Sequence, residues 1–235
     1  MGNLINPHRF GFSGTTDLTI DDIDFETVQS TATTRTLSFT VGAASTEKKI
    51  LIVGLTGGGS TLTVTSCTYA GQTMTSLASN GTGAPYYSET RLFYLLDPPT
   101  GTADVVATQS TGTNMSIRFV LSVYGVKQDV PVVTSGQRYA LPNTLTLSIT
   151  ATVANSWLIS SIYGSNPANA TSPSNYFDAT ELGYLDNSVS NYYYNGLDKS
   201  PAIGSASAPS FNYKPPANSN AQPVAMWAII LVPYA

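Results

Sequence analysis

Apolar and polar residues alternate with a period of two along several segments of the chain, the first of which begins at Thr36. There Leu37, Phe39 and Val41 alternate with threonine and serine, which predicts a β-strand with one buried face. The segment 145–149 repeats this alternation with leucine and isoleucine. We therefore expect the following alternating apolar side chains to point into a core: Leu37, Phe39, Leu145, Leu147 and Ile149.

Other apolar segments predict strands of different kinds. The continuous run 49–55, KILIVGL, is typical of a strand buried on both faces. In the segment 116–126, SIRFVLSVYGV, apolar residues recur at every second position, which predicts a single apolar face. The expected members of that face are Ile117, Phe119, Leu121 and Val123. Trp227 lies in a later apolar run and is expected to be buried in the strand that this run forms.

Turn signals separate these runs. Ala70-Gly71 lies in the middle of the segment 61–77 and predicts a tight hairpin turn, in which glycine supplies a positive φ. Pro98-Pro99 must lie in a connection, because proline lacks the N–H that a central strand needs. No helical pattern of ten residues interrupts the strands. Many short strands divided by turns predict an all-β fold, an antiparallel β-sandwich of jelly-roll-like type.

The chain divides into two parts at a change of composition. Residues 1–34 are predicted to form an extended N-terminal arm, and residues 35–235 the β-sandwich domain. The stretch 17–26 alternates acidic with apolar residues and predicts either an edge strand or a clasp on another surface. The arm also contains four apolar residues without periodic partners, which we expect to bind a partner: Leu4, Ile5, Phe10 and Phe12.

A long segment, residues 166–223, is rich in Tyr, Asn, Ser and Pro and predicts long loops. Its tyrosines suit packing on their own sandwich, contact with a neighbouring subunit, or stacking on a glycan. In an extended strand Tyr192 and Tyr194 share one face and Tyr193 takes the other, so at least one ring is left for a partner. We therefore predict that these three tyrosines bind a partner, with a second copy of this chain favoured.

Composition narrows the classes of function. Charged residues are 10% of the chain, against about a quarter in an average protein. The formal net charge is −4, which argues against a nucleic-acid-binding groove. No apolar run approaches the ~20 residues of a membrane span, and none resembles a signal peptide. We expect neither nucleic acid nor membrane as a partner. With a single cysteine, the chain makes no internal disulfide.

A search for reactive chemistry finds no site, and we expect no enzymatic activity and no cofactor. The only histidine, His8, lies in the arm and offers no general base. The glycine-rich stretch 54–61 lacks the lysine and helix of a phosphate loop and is interpreted as a strand connection. Cys67 is predicted to be a core residue. The acidic run 17–26 lacks calcium-loop spacing, although a weak cation site there stays an alternative. No recognisable pattern unites the remaining carboxylates considered: Glu89, Asp97, Asp104, Asp178 and Glu181.

The order of several motifs carries a family resemblance. An apolar strand is followed by TVTSCTYAGQTMT, then YLLDPPTGTADV, then GVKQDVPV, and finally a strand containing Trp227. This order resembles a β-sandwich domain family of bacteriophage virion proteins and prophage-like genes. The resemblance covers about residues 36–235, and the segment NLINPHRF is similar to the openings of phage virion proteins. Ala70 departs from the glycine usual in that family's first hairpin. The matching segments are 65–75, 94–105, 125–132 and 225–233.

The resemblance implies a structural protein located in the virion. The leading expectation is a capsid decoration or cement protein that binds the major capsid protein or another virion protein. It would also bind neighbouring copies of itself as a homo-oligomer, for which a trimer is one option. Two alternatives stay open. One is a tail, baseplate or fibre protein that binds a host glycan, and the other is a bacterial carbohydrate-binding module.

Overall fold

The structure is a computed structural model. It describes residues 17–25, 31–43, 48–58, 64–81, 88–110, 115–138, 145–148, 153–164, 180–186, 194–199, 210–213 and 224–234. The strands are β1 (Thr19–Asp24), β2 (Thr34–Val41), β3 (Lys49–Gly58), β4 (Val64–Tyr69), β5 (Gln72–Thr73), β6 (Thr75–Gly81), β7 (Ser88–Leu96), β8 (Gly101–Gln109), β9 (Met115–Tyr124), β10 (Val132–Arg138), β11 (Leu145–Ser148), β12 (Trp157–Gly164), β13 (Thr180–Asp186), β14 (Tyr194–Lys199), β15 (Ser210–Tyr213) and β16 (Val224–Leu231). Within these ranges no residue is helical and all strand pairs are antiparallel, so the all-β prediction is confirmed.

The strands form three larger sheets and one small one. The central sheet has the order β1-β9-β3-β7-β6, and the outer sheet has the order β2-β8-β4-β5. The C-terminal sheet has the order β10-β16-β12-β14-β13, while β11 pairs only with β15. Buried side chains join the outer sheet to one face of the central sheet and the C-terminal sheet to its other face. The central sheet is therefore covered on both sides.

The first nine strands pair as one long hairpin that is wound onto itself. β1 pairs with β9, β2 with β8, β3 with β7, and β4 with β5. β5 and β6 are separated only by Met74, at which the chain passes from the outer to the central sheet. The further pairings β3 with β9 and β4 with β8 complete the two sheets. Distant parts of the sequence thereby become neighbours.

The first core lies between the outer and central sheets. Phe39, Cys67 and Tyr69 from the outer sheet are almost wholly buried against Leu51 and Val53 of the central sheet. This confirms the inward prediction for Phe39 and the core prediction for Cys67. Leu37 is half-buried and packs against the same cluster.

The second core lies on the opposite face of the central sheet. Ile50 and Ile52 project into it from β3, so the two-faced burial predicted for the run 49–55 is confirmed. From the C-terminal sheet, Trp227 packs into this core with only 2% of its surface exposed, as predicted. The predicted inward residues Leu145, Leu147 and Ile149 have side chains outside the described part of the chain.

A β-bulge divides the apolar face that was predicted for β9. Phe119 pairs with Gly54 but Ile117 pairs with Leu55, so Arg118 is an extra residue in the ladder. As a result Ile117 packs in the first core, whereas Phe119, Leu121 and Val123 pack in the second. The prediction of one shared face is wrong for Ile117, because the bulge reverses the alternation.

Strand β1 lies inside the segment predicted as the arm, and it is an edge strand of the central sheet. Leu18, Ile20 and Ile23 all face the second core, although Ile20 and Ile23 are three positions apart. A register shift between Ile20 and Asp22 accounts for this spacing, because the bulged Asp21 restores the phase. Of the two alternatives that the sequence left open for this stretch, the described residues take the edge strand.

The turn at Ala70-Gly71 forms the predicted hairpin between β4 and β5. Both central residues have positive φ, 50° at Ala70 and 75° at Gly71, as a two-residue turn of type I′ requires. Glycine takes this conformation freely, whereas alanine is strained in it. Alanine at position 70 therefore has a conformational cost.

The segment around Pro98-Pro99 is a crossing between sheets. β7 ends at Leu96 in the central sheet, and β8 begins at Gly101 in the outer sheet, so the two strands do not pair. The prediction that Pro98-Pro99 lie in a connection between strands is confirmed, and that connection crosses from one sheet to the other. Asp97, with a φ of 50°, donates its backbone N–H to the Lys49 carbonyl over 2.9 Å and fixes the start of the crossing.

The prediction that the glycine-rich stretch 54–61 is a strand connection is wrong for residues 54–58. Residues 54–58 belong to β3 and pair with both β7 and β9. The remainder, residues 59–61, lies outside the described part of the chain.

Candidate functional site

Most of the predicted partner-binding residues lie outside the described residues. These are Leu4, Ile5, Phe10, Phe12, Tyr192 and Tyr193. Tyr194 is the first residue of β14, and its backbone pairs with Gly164 and Asp186. Its side chain is not among those described, so the predicted contact of the three tyrosines stays a prediction.

The described residues offer no assembled reactive group. Among them, no three His, Cys, Asp or Glu side chains are close enough together to hold a metal ion. Cys67 is fully buried, and burial raises the pKa of its thiol to about 12. Asp97 pairs with Lys48 over 3.3 Å at the surface, and Asp104 is exposed on β8. In the same part of the chain no helix is long and apolar enough to cross a membrane.

A polar network, here called the β1 clasp, holds the edge strand at one end of the central sheet. The Tyr124 hydroxyl donates to one carboxylate oxygen of Asp21 over 2.6 Å, and the Gly42 backbone N–H donates to the other over 2.8 Å. Gly42 leaves room for this contact, because a Cβ there would lie 2.4 Å from both the Asp21 carboxylate and the Tyr124 hydroxyl. The clasp joins β1, β9 and the end of β2.

Lys49 is a buried cation beside the clasp, with 5% of its surface exposed. Its ammonium group donates to the Gly42 carbonyl and to the Thr100 hydroxyl, both over 2.8 Å, and lies 5.5 Å from the Tyr124 ring centre. A buried ammonium needs such partners, because burial without them strongly disfavours its charge. The groups around Lys49 are thus arranged to hold this end of the fold together.

Exposed apolar side chains gather at the same end of the molecule. Three large hydrophobic residues stand out among the described part: Val130 is 66% exposed, Tyr234 is 42% exposed and Val153 is 39% exposed. Val130 and Val153 line one cleft of about 180 Å³, here called the end cleft. Tyr234 is adjacent to it, because its backbone N–H donates to Gly125 over 2.6 Å and the preceding Pro233 forms a bridge with Val126.

The walls of the end cleft are mostly apolar and its rim is charged. Val126 and Leu231 form buried parts of the wall, with Pro131 beside them. Lys127 and Asp129 form an exposed ion pair of 2.5 Å at the rim. An apolar cleft with a polar rim is typical of a binding surface.

The end cleft and the β1 clasp are connected through the chain that follows β9. The Val126 backbone N–H donates to the Lys48 carbonyl over 3.1 Å, and the Gln128 side-chain amide donates to the Lys49 carbonyl over 3.0 Å. Sequence reasoning missed this site, since Val130, Val153 and Tyr234 are far apart in the chain. The one local signal was an apolar valine inside the turn-like stretch KQDVP.

No family model, curated protein or solved structure matches this chain. The end cleft provides apolar walls, exposed hydrophobic side chains and an ion pair, which together can hold a polypeptide segment by burying its apolar side chains.

Proposed function

We propose that this chain is a non-enzymatic structural protein of a bacteriophage virion, and specifically a capsid decoration or cement protein. The observation that carries the proposal is the winding of the first nine strands as one rolled hairpin. When β5 and β6 are counted as a single strand, these pairings favour an eight-stranded jelly roll. Viral capsid proteins use this architecture widely.

Motifs in the sequence support the same proposal. The turn at Ala70-Gly71 and the crossing at Pro98-Pro99 are the corners at which the chain reverses or changes sheet. These are the segments that resemble the phage virion family. One fold can serve many functions, so the strand order alone does not indicate a phage protein. The resemblance of these two segments to the phage virion family gives the proposal its second, independent support.

The exposed surface suits close packing on neighbours. On β2 the outward residues Thr36, Ser38 and Thr40 are exposed and uncharged, and Thr40 meets Thr102 of β8 hydroxyl to hydroxyl at 2.8 Å. Surfaces that become interfaces are depleted of charge at their centre. The low charged fraction of the chain and the apolar end cleft agree with a protein that works among tightly packed copies.

The proposed partners are the major capsid protein, or another virion protein, and further copies of this chain. The apolar arm residues would contact the shell, and the tyrosines at 192–194 would contact a neighbouring copy. The net charge of −4 favours a protein partner over nucleic acid.

The proposal is tested with purified particles of the phage that encodes the chain. We expect a reconstruction to show the nine-strand unit on the outer surface of the shell, with a copy number comparable to that of the shell subunit. The matched variant lacks residues 1–16 but keeps β1, so that its sheet is complete. It should fold and fail to decorate. Absence of the chain from particles overturns the proposed function, and full occupancy by the variant overturns the role of the arm.

A tail or fibre protein that binds a host glycan is the second candidate, because lectin domains also use the jelly roll. Replacement of Tyr192, Tyr193 and Tyr194 by serine separates the two. Loss of assembly with unchanged host adsorption supports the decoration role. Intact assembly with lost adsorption, together with a low copy number, supports the receptor-binding role instead.

A further inference from the structure

We propose that, in the free protein, the segment of residues 1–16 packs apolar side chains into the end cleft of the same chain. This inference goes beyond the proposed function and does not depend on it, since it concerns the isolated protein. Residues 1–16 lie outside the described part of the chain, so the argument rests on the cleft and on where the described chain begins.

The size and lining of the end cleft suit an aromatic ring. The cleft has a volume of about 180 Å³, and Val126, Val130, Val153 and Leu231 provide apolar walls. An apolar cavity of roughly 150 Å³ is enough to take up benzene. The segment contains two phenylalanines, Phe10 and Phe12, that fit such a space.

The described chain begins beside the cleft. Thr19 of β1 pairs with Tyr124, which lies two residues before the cleft residue Val126. Leu18 belongs to the same buried cluster as Val126 and Leu231. Because β1 runs away from this end, Asp17, where the described chain begins, lies at the same end of the sheet as the cleft.

The connecting chain is short enough for the contact to form within one molecule. Phe12 precedes Asp17 by five residues, which span about 17 Å when fully extended. A short connection gives an effective concentration in the millimolar range. At protein concentrations below this range, residues 1–16 of the same chain therefore bind the cleft in preference to residues 1–16 of a second copy.

Charge agrees with this occupant. The segment contains Arg9 and no acidic residue, whereas the whole chain has 14 acidic and 10 basic residues. Asp129 is exposed at the rim of the cleft, within its ion pair to Lys127. The positive charge of Arg9 is therefore attracted to the net negative charge of the whole chain, and Asp129 places a carboxylate at the rim of the cleft.

A peptide-binding experiment tests the proposal on the isolated protein. A labelled synthetic peptide of residues 1–16 is titrated into the variant that lacks residues 1–16 and into the full chain. We expect saturable one-to-one binding to the truncated variant and at least tenfold weaker binding to the full chain, whose cleft is already occupied. Val153→Asp should weaken binding to the truncated variant at least tenfold. The control Thr36→Asp, on the outer sheet, should leave binding unchanged.

Three results overturn the proposal: no binding to the truncated variant, equal binding to the full chain, or equal binding to the Val153→Asp variant. Sedimentation of the full chain tests the second copy as occupant. A dimer that the truncation dissolves assigns the cleft to a neighbouring copy and refutes the contact within one chain.

Should the truncated variant not fold, amide hydrogen exchange of the full chain gives the answer. The double change Phe10→Ser and Phe12→Ser should speed exchange around Val130 and Val153 at least tenfold, and unchanged rates refute the contact. The measurement uses no particle, so its failure leaves the proposed virion function standing.

Discussion

The ring of Phe119 occupies the space in which a side chain at Gly54 would lie. A Cβ built on Gly54 would be 2.3 Å from Cε1 of that ring and 2.7 Å from Cδ1. The two residues pair across β3 and β9 at the bulge that Arg118 creates. The glycine at position 54 therefore allows close packing of the Phe119 ring on β3.

Gly54→Ala is expected to destabilise the fold by about 2–3 kcal/mol, because the buried Phe119 ring has nowhere to move. Urea unfolding followed by circular dichroism measures the loss. Phe119→Leu in the same chain should recover part of it, giving a coupling of about 1 kcal/mol or more in the double-mutant cycle. Additive losses would show that the ring does not exclude the methyl group.

Ala70→Gly is expected to stabilise the protein by about 0.5–1 kcal/mol. Alanine at a φ of 50° is strained, and glycine removes that strain at the cost of a more flexible unfolded chain. The matched control is Gly71→Ala at a φ of 75°, where a Cβ meets nothing within 4 Å. The control should destabilise through conformation alone, and a stabilising control would refute the explanation.

Asp21→Ala is expected to cost about 1.5–3 kcal/mol, since it leaves the Tyr124 hydroxyl and the Gly42 N–H without their charged acceptor. Asp22→Ala is the matched control, because Asp22 is exposed and accepts from the N–H of Ile23, its neighbour in the chain. It should change stability by less than about 0.5 kcal/mol. Equal losses in the two variants would mean that the β1 clasp contributes nothing specific.

Stability should fall as the solution becomes alkaline. Burial raises the pKa of the Cys67 thiol from 9.0 to about 12, and it also raises the pKa of Tyr69 above 10.0. The folded state therefore holds these protons more tightly than the unfolded state. Their contribution is complete below pH 9 and is lost as the pH rises through the folded pKa values. For Cys67, the loss is up to about 1.4 kcal/mol per pH unit between 9 and 12.

Comparison of unfolding free energies at pH 8 and above pH 10 for the wild type and Cys67→Ala isolates the thiol. The wild type should lose more stability than the variant over this interval. The variant should still lose some, since Tyr69 remains and donates its hydroxyl proton to the Gly101 carbonyl over 2.8 Å. Parallel pH profiles would exclude a contribution from Cys67.

Trp227→Ala is expected to cost about 3–5 kcal/mol, because it empties a large volume in the second core. Trp227→Phe should cost less, since most of that volume stays filled. Denaturant titration of both variants gives the two losses. A loss below about 1 kcal/mol for the alanine variant would contradict the packing of the C-terminal sheet on the central sheet.

The sequence by itself determined the features that depend on local periodicity and turn chemistry. Alternation of apolar and polar residues indicated strands, and the run 49–55 indicated burial on both faces because no polar position interrupts its first five residues after Lys49. The turn at Ala70-Gly71 followed from the glycine, and the burial of Cys67 and Trp227 followed from the apolar strands that contain them. Each signal lies within about ten neighbouring residues.

Only the tertiary structure decided the features that depend on distant partners. Ile117 leaves the face of Phe119 because pairing with β3 places a bulge at Arg118. The strands on either side of Pro98-Pro99 separate because each finds its partner in another sheet. The end cleft exists because β16 brings Leu231 beside Val126. Strand register, the choice of sheet and the shape of the surface all arise from pairing between residues far apart in the chain. A pattern among neighbouring residues does not indicate which distant residues will pair.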